Sequence, residues 1–254
     1  MQQNTFPLRR LFKPLVLLAI LSPLLQTVRA QTKARGPLKK ILVFSKTAGF
    51  RHSSIGAGKS MFLSRSAAAG YQADTTEDAA IFTTKGLAPY KAVVFLNTTG
   101  DVLDSLQQIA FQDFIHKGGG YIGIHAATDT EYDWPWYNQL SGAYFDNHPK
   151  PQTATFHVLD KKFIATEHLP DSLVQKEEIY NFKSVQPGLH YLITVDESTY
   201  QGGNMGKFHP ISWYHTFEGG RAFYIEWGHF DSTFSSPVFQ KLIYKALDWA
   251  TAKK

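Results

Sequence analysis

Gly118-Gly119-Gly120-Tyr121-Ile122-Gly123-Ile124-His125-Ala126-Ala127-Thr128-Asp129 is the stretch on which the fold turns. Three glycines end the helix before them, and Tyr121 to His125 is a short apolar run suited to a strand covered on both faces. Gly123-Ile124-His125-Ala126-Ala127 has the small-x-nucleophile-x-small form of an elbow, where small neighbours let a strand turn abruptly into a helix. Histidine holds the nucleophile's place, so the usual serine or cysteine acyl-enzyme chemistry is excluded there. The plainer reading is that Gly123 and Ala126 permit tight packing. The glycine run is no phosphate loop, because it precedes a strand and lacks the Lys-Ser/Thr ending.

The same grammar extends in both directions. Upstream, Asp104 and Gln107 form a capping-box pattern before the helical face Leu106, Ile109, Ala110, Phe111, Phe114 and Ile115. Ala92 to Leu96 and Ile41 to Phe44 are continuous apolar strands, and Tyr71 to Thr75 is a further strand. The polar loop Lys46 to His52 leads into a helix from Ser53 or Ser54. Strands alternating with helices predict right-handed crossovers and a mostly parallel sheet. Downstream, 152–160, 177–182, 190–195, 211–217 and 221–227 read as strands with short connections, including antiparallel additions. An amphipathic helix carrying Phe239, Leu242, Ile243, Ala246, Leu247 and Ala250 closes the chain. The sequence thus predicts a single α/β domain over 41–252.

Residues 1–30 read as a signal peptide. Arg9, Arg10 and Lys13 precede an apolar run from Pro14 to Leu25, and Val28-Arg29-Ala30 supplies small residues for cleavage. Leu8-Arg9-Arg10-Leu11-Phe12-Lys13 resembles a twin-arginine signal without its usual Ser or Thr, so the Sec and twin-arginine routes both stay open. Export to the periplasm or medium is the expectation, with no membrane association after cleavage and a mobile linker over 31–40. Cleavage removes four of the 26 positive charges and no negative one, leaving 22 against 21. The +5 of the 254-residue chain therefore gives no support to nucleic-acid binding. With no cysteine, disulfides, thiol nucleophiles and zinc-thiolate sites are excluded.

In open parallel sheets, ligands bind beyond the carboxyl ends of the strands. His52, His125 and His229 each follow a predicted strand and would meet on that rim. Asp129, four residues after His125, either orients that imidazole or caps a helix. His148 and His209, each before a proline, are further candidate imidazoles. No compact metal motif is present, but several histidines with carboxylates suit zinc or another divalent transition ion. The cluster Asp133-Trp134-Pro135-Trp136-Tyr137 offers Trp134 and Trp136 as faces for sugar stacking, with burial in the core as the alternative.

These motifs, with Lys46-Thr47-Ala48-Gly49-Phe50-Arg51-His52, Glu178-Ile179-Tyr180-Asn181-Phe182, His209-Pro210-Ile211-Ser212-Trp213 and Gly220 through His229, resemble the ThuA-like (trehalose utilisation) family. The resemblance implies a three-layer, flavodoxin-like fold similar to class I glutamine amidotransferases, without glutaminase activity, because the cysteine is missing. Glu226-Trp227 departs from the family pattern, which commonly has Leu or a similar residue before the final Gly-His. The resemblance also implies sugar catabolism. Glu178 and Tyr180 are candidate substrate contacts, with an ordinary strand having one exposed face as the alternative, and Trp213 is a further candidate contact.

Two functions follow as expectations. The first is an exported enzyme acting on a sugar or keto-glycoside, of lyase, hydratase, hydrolase or isomerase type. His125, His52 and Asp129 would be its catalytic groups and His125, His229 and His52 its metal ligands. The second is a non-catalytic carbohydrate-binding protein. A partner domain working only in a complex is a third, and a homo-oligomer is left open.

Overall fold

The computed structural model describes residues 1–3 and 37–252. All but the first three residues of the expected signal peptide, and most of the expected linker, lie outside the described residues. Lys39 and Lys40, the linker's last two positions, already belong to the first strand, paired with Tyr71 and Gln72.

In chain order the elements are β1 (Lys39–Phe44), α1 (Ile55–Ala69), β2 (Tyr71–Thr76), α2 (Thr84–Leu87), β3 (Ala92–Leu96), α3 (Ser105–His116), β4 (Gly120–Ile124), α4 (Pro135–Ser141) and β5 (Tyr144–Asn147). They continue with β6 (Gln152–Val158), β7 (Ser172–Glu177), β8 (Asn181–Lys183), β9 (His190–Val195), β10 (Pro210–Phe217), β11 (Gly220–Ile225), α5 (Asp231–Ser235) and α6 (Pro237–Ala250). Nine strands form one sheet in the order β2-β1-β3-β4-β11-β10-β9-β6-β7, while β5 and β8 form a separate ribbon. The first five strands in that order are mutually parallel. The remaining four join antiparallel. This is the expected α/β architecture: a flavodoxin-like parallel half extended by antiparallel strands.

The central strands are apolar beyond their first residues because both of their faces are covered there. Ile41, Val43, Val94, Ile122, Ile124, Phe223 and Ile225 enter one core with Phe62 of α1 and Leu242 and Ile243 of α6. Leu42, Phe44, Val93, Phe95, Tyr121 and Tyr224 enter the other with Phe111 and Ile115 of α3 and Tyr137 and Leu140 of α4. The result is three layers, and among the described residues no helix is long and apolar enough to cross a membrane.

Two readings of the sequence change. The stretch 177–182 is not one strand: β7 ends at Glu177, β8 starts at Asn181, and Glu178 to Tyr180 lie between them. The aromatic cluster at Trp134, given no element by the sequence, leads into α4, with Pro135 in its first turn, where a missing N–H costs nothing.

Candidate metal centre

The strand order reverses between β1 and β3, and the loops leaving β1, β4 and β11 at their carboxyl ends carry His52, His125 and His229. The connection between β7 and β8 adds Glu178. One ligand atom from each of these four residues lies within 4.8 Å of all the others. The imidazole centroids are 4.7 Å apart for His52–His125 and 5.5 Å for the other two pairs.

His125 sits in the elbow with φ +52, a left-handed backbone that costs a non-glycine residue about 1–2 kcal/mol. Tyr224 Oη donates to its carbonyl at 2.7 Å and holds the turn. The His125 Nδ1–H donates to the Glu226 carbonyl at 2.6 Å, which fixes the tautomer and leaves the Nε2 lone pair facing inward. Burial pushes the His125 imidazole down to about 4, so it is neutral at physiological pH. Its Nε2 is buried without a hydrogen-bond partner, 3.3 Å from Glu178 Oε2. Two acceptors facing each other in a buried site call for a cation between them.

Glu178 Oε2 is the hub. It lies 3.0 Å from His229 Nδ1, itself buried without a hydrogen-bond partner, and 3.5 Å from His52 Nε2. Ligands about 2.1 Å from a tetrahedral ion are about 3.4 Å from one another, so the spacing fits a shared ion. The four residues could therefore hold a metal ion.

A second layer fixes them. The Glu177 carboxylate accepts the Thr233 hydroxyl at 2.7 Å and the His229 backbone N–H at 3.4 Å, tying down the loop that carries His229. Ser54 Oγ and Asn97 Nδ2 both donate to the Gly228 carbonyl. Glu226 accepts the Tyr180 N–H at 3.3 Å, and burial beside Glu177 raises it well above the ordinary carboxyl value. The departure Glu226-Trp227 thus adds a buried carboxyl group behind His125, while Trp227 packs edge-on against Phe156 in the core.

The other expected residues divide. Asp129 is half-buried at the rim and accepts Tyr132 Oη at 2.6 Å; burial raises its carboxyl, and His52 and His148 are close enough to oppose that. Asp129 is not among the four converging residues. His148 brings Nδ1 to 3.3 Å from Glu178 Oε1 and stacks on Tyr180. Tyr180 is buried with its ring 4.6 Å from His125, forming a wall. His209 stays outside, bonded to the Tyr180 carbonyl and to Glu197.

The tryptophans are elsewhere. Trp213 is 1% exposed, donates to the Ser141 carbonyl and stacks on Tyr224, so it belongs to the core. Trp134 stacks on Trp136, whose indole N–H donates to Glu218, at the end of β11 opposite to His229. Glu178, expected as a substrate contact, is the carboxylate at which the imidazoles converge. A ligand role for it has no local signature, because its partners come from three other loops.

A family model described as trehalose utilisation (ThuA) matches residues 40–250. Among solved structures, a ThuA-like protein from Bacteroides uniformis aligns with a TM-score of 0.75 and 23% identity, covering 87% of this chain and 94% of that one. A second ThuA-like protein, from Parabacteroides merdae, gives 0.70 and 19% identity over 85% and 91%. A β-galactosidase from Bacillus circulans shares the fold over 31% of its own length, with a TM-score of 0.56 and 11% identity. None of the curated proteins matches the chain.

Proposed function

The chain belongs to the ThuA (trehalose utilisation) family, and on that premise we propose that it is a metal-dependent enzyme acting on a sugar or keto-glycoside. The observation carrying this reading is the convergence of His52, His125, His229 and Glu178, with His125 Nε2 and His229 Nδ1 facing the carboxylate and lacking hydrogen-bond partners. The donor set suits zinc or another borderline divalent ion. Such an ion would supply Lewis-acid polarisation of a substrate oxygen.

With the histidines engaged as ligands, Asp129 is the proton acceptor. A ketone acidifies the neighbouring C–H, and a carboxylate whose basicity burial has raised suits its removal, the first step of eliminating a glycosidic substituent. Hydration or isomerisation of a keto-sugar would use the same groups. On the sequence of residues 1–30 we also propose export; terminal sequencing of the protein from periplasm or medium should then read from Gln31.

Metal analysis combined with turnover tests the reading. The purified protein should carry about one divalent ion per chain and convert a keto-glycoside, and His125→Ala should lose both. A metal-free protein that still turns over the keto-glycoside would sink the metal proposal.

One observation favours a second reading. Four protein ligands close a tetrahedral ion, whereas catalytic zinc usually keeps one position for water. A carbohydrate-binding protein with a structural ion would show sugar affinity and stoichiometric metal but no turnover.

A further inference from the structure

The tryptophans that the sequence offers for sugar stacking are committed at the far end of β11, which leaves open what ring a sugar at the metal centre would meet. Phe50 stands two residues before His52, 67% exposed, with its ring 4.8 Å from the His52 imidazole at 82°. A lone exposed phenylalanine means little by itself. Its mounting and its surroundings make it informative.

The loop is clamped on all sides. Thr99 Oγ1 donates to the Phe50 carbonyl at 2.8 Å, and the N–H groups of Ala48 and Gly49 both donate to the Thr99 carbonyl. Lys46 Nζ donates to the Val102 carbonyl, and Arg51 makes a two-pronged pair with Glu77 at 2.8 and 2.9 Å. A rigid loop thus holds an apolar ring in water beside the candidate ligands. If His52 holds an ion at a metal–nitrogen bond of about 2.1 Å, the Phe50 centroid lies no more than about 8 Å from it.

Two other rings near this mouth are occupied. Phe230, edge-on to His229, carries Lys176 Nζ 5.4 Å from its centroid. Tyr132 carries Lys183 Nζ at 5.1 Å, and its hydroxyl serves Asp129. The cations are engaged as well. Lys46 and Arg51 have the partners given above, Lys59 faces Glu77, and Lys183 faces Asp146 at 3.6 Å. None of these is arranged to grip a phosphate.

We propose that Phe50 is the stacking platform for an uncharged sugar ring of the substrate, a specificity-determining residue beside the metal centre. This rests on the reading of the cluster as a sugar-processing site, and names the side chain and the charge class that select the sugar.

The test uses the full, zinc-loaded chain with trehalose, methyl α-glucoside and trehalose 6-phosphate as probes in direct binding titrations. Phe50→Ala should weaken binding of the neutral sugars about tenfold, the order of one aromatic stacking contact. Phe50→Trp should restore it, and zinc content should be the same in all three proteins. Trehalose 6-phosphate should bind more weakly than trehalose. Equal affinity in Phe50→Ala, no binding of either neutral sugar to the wild type, or preference for the phosphate would each overturn the proposal. Failure of the metal reading looks different: Phe50-dependent sugar binding would persist in protein that takes up no zinc.

Discussion

At the scale of single residues, the centre is built from groups that are costly unless a cation joins them. His125 is buried, neutral and strained, and the nitrogen it turns inward meets a carboxylate oxygen 3.3 Å away. His125→Ala and Glu178→Gln should each lower zinc affinity at least about 100-fold, exceeding the 10–100-fold typical of outer-shell changes. Competition against a chromogenic chelator measures this, and an unchanged affinity in either variant would remove that residue from the ligand set. His209→Gln, altering an imidazole bonded elsewhere, should retain zinc. Glu177 makes a prediction of opposite character, in pH. Burial raises its carboxyl to about 7 from an ordinary 4.5, so the folded state holds that proton more tightly than the unfolded chain. In metal-free protein its contribution is therefore unaffected below pH 4.5, falls as pH rises to about 7, and stays low above. The loss is of order 3 kcal/mol. Glu177→Gln abolishes this slope, so the Tm of the variant relative to wild type should be higher at pH 8 than at pH 5. An identical difference at the two pH values would contradict the assignment. The three converging histidines were legible because each follows an apolar run that could be recognised as a strand. Glu178 was legible as a site residue but not as a ligand, because nothing local distinguishes a metal-binding glutamate from one at a half-exposed strand position.

At the scale of elements, the legible pieces are those whose environment is uniform. β1, β3 and β4 are continuous apolar runs because a helical layer covers each face, and α3 announces itself by a capping box in which Asp104 accepts the Leu106 and Gln107 N–H groups. The break between β7 and β8 was hidden: Glu177-Glu178-Ile179-Tyr180-Asn181-Phe182 has strand-forming residues, yet Glu178 has to leave the ladder to reach the histidines. β5 was missed for a related reason, since Tyr144 to Asn147 pairs outside the main sheet and turns Asp146 and Asn147 to water. Two substitutions separate element stability from site integrity. Asp104→Ala removes the cap and should cost about 1 kcal/mol with zinc content unchanged. Gly228→Ala acts at the site: its φ is +144, and a Cβ there would lie 3.0 Å from Ile124 Cγ2 and 3.1 Å from His125 Cβ. That change should cost about 1–3 kcal/mol and also weaken zinc retention, because it displaces both flanking ligand loops. Thermal melts paired with metal analysis distinguish the two, and a Gly228→Ala protein with normal zinc content would show that the loops tolerate the shift.

At the scale of the whole molecule, the candidate ligands come from both halves of the sheet. His52, His125 and His229 leave parallel strands, whereas Glu178 follows β7, the outermost strand of the antiparallel extension. A bound ion would therefore join segments up to 177 residues apart in sequence. Metal affinity should then appear as global stability. An ion that binds the folded state alone adds RT ln(1 + [L]/Kd), about 2.7 kcal/mol when free zinc is 100 times its Kd. For a domain of this size, that corresponds to a rise in Tm of roughly 5–10 °C. The rise should vanish in His125→Ala and survive in Asp104→Ala, whose melting point starts lower for a reason remote from the site. A zinc-dependent rise of equal size in His125→Ala would mean that the ion binds elsewhere on the surface. If zinc saturates the protein but leaves the melting point unchanged, binding to the unfolded chain through its ten histidines must offset binding to the fold. Repeating the melt with Glu178→Gln separates those cases: it alters the site in the folded state while leaving every histidine available in the unfolded one.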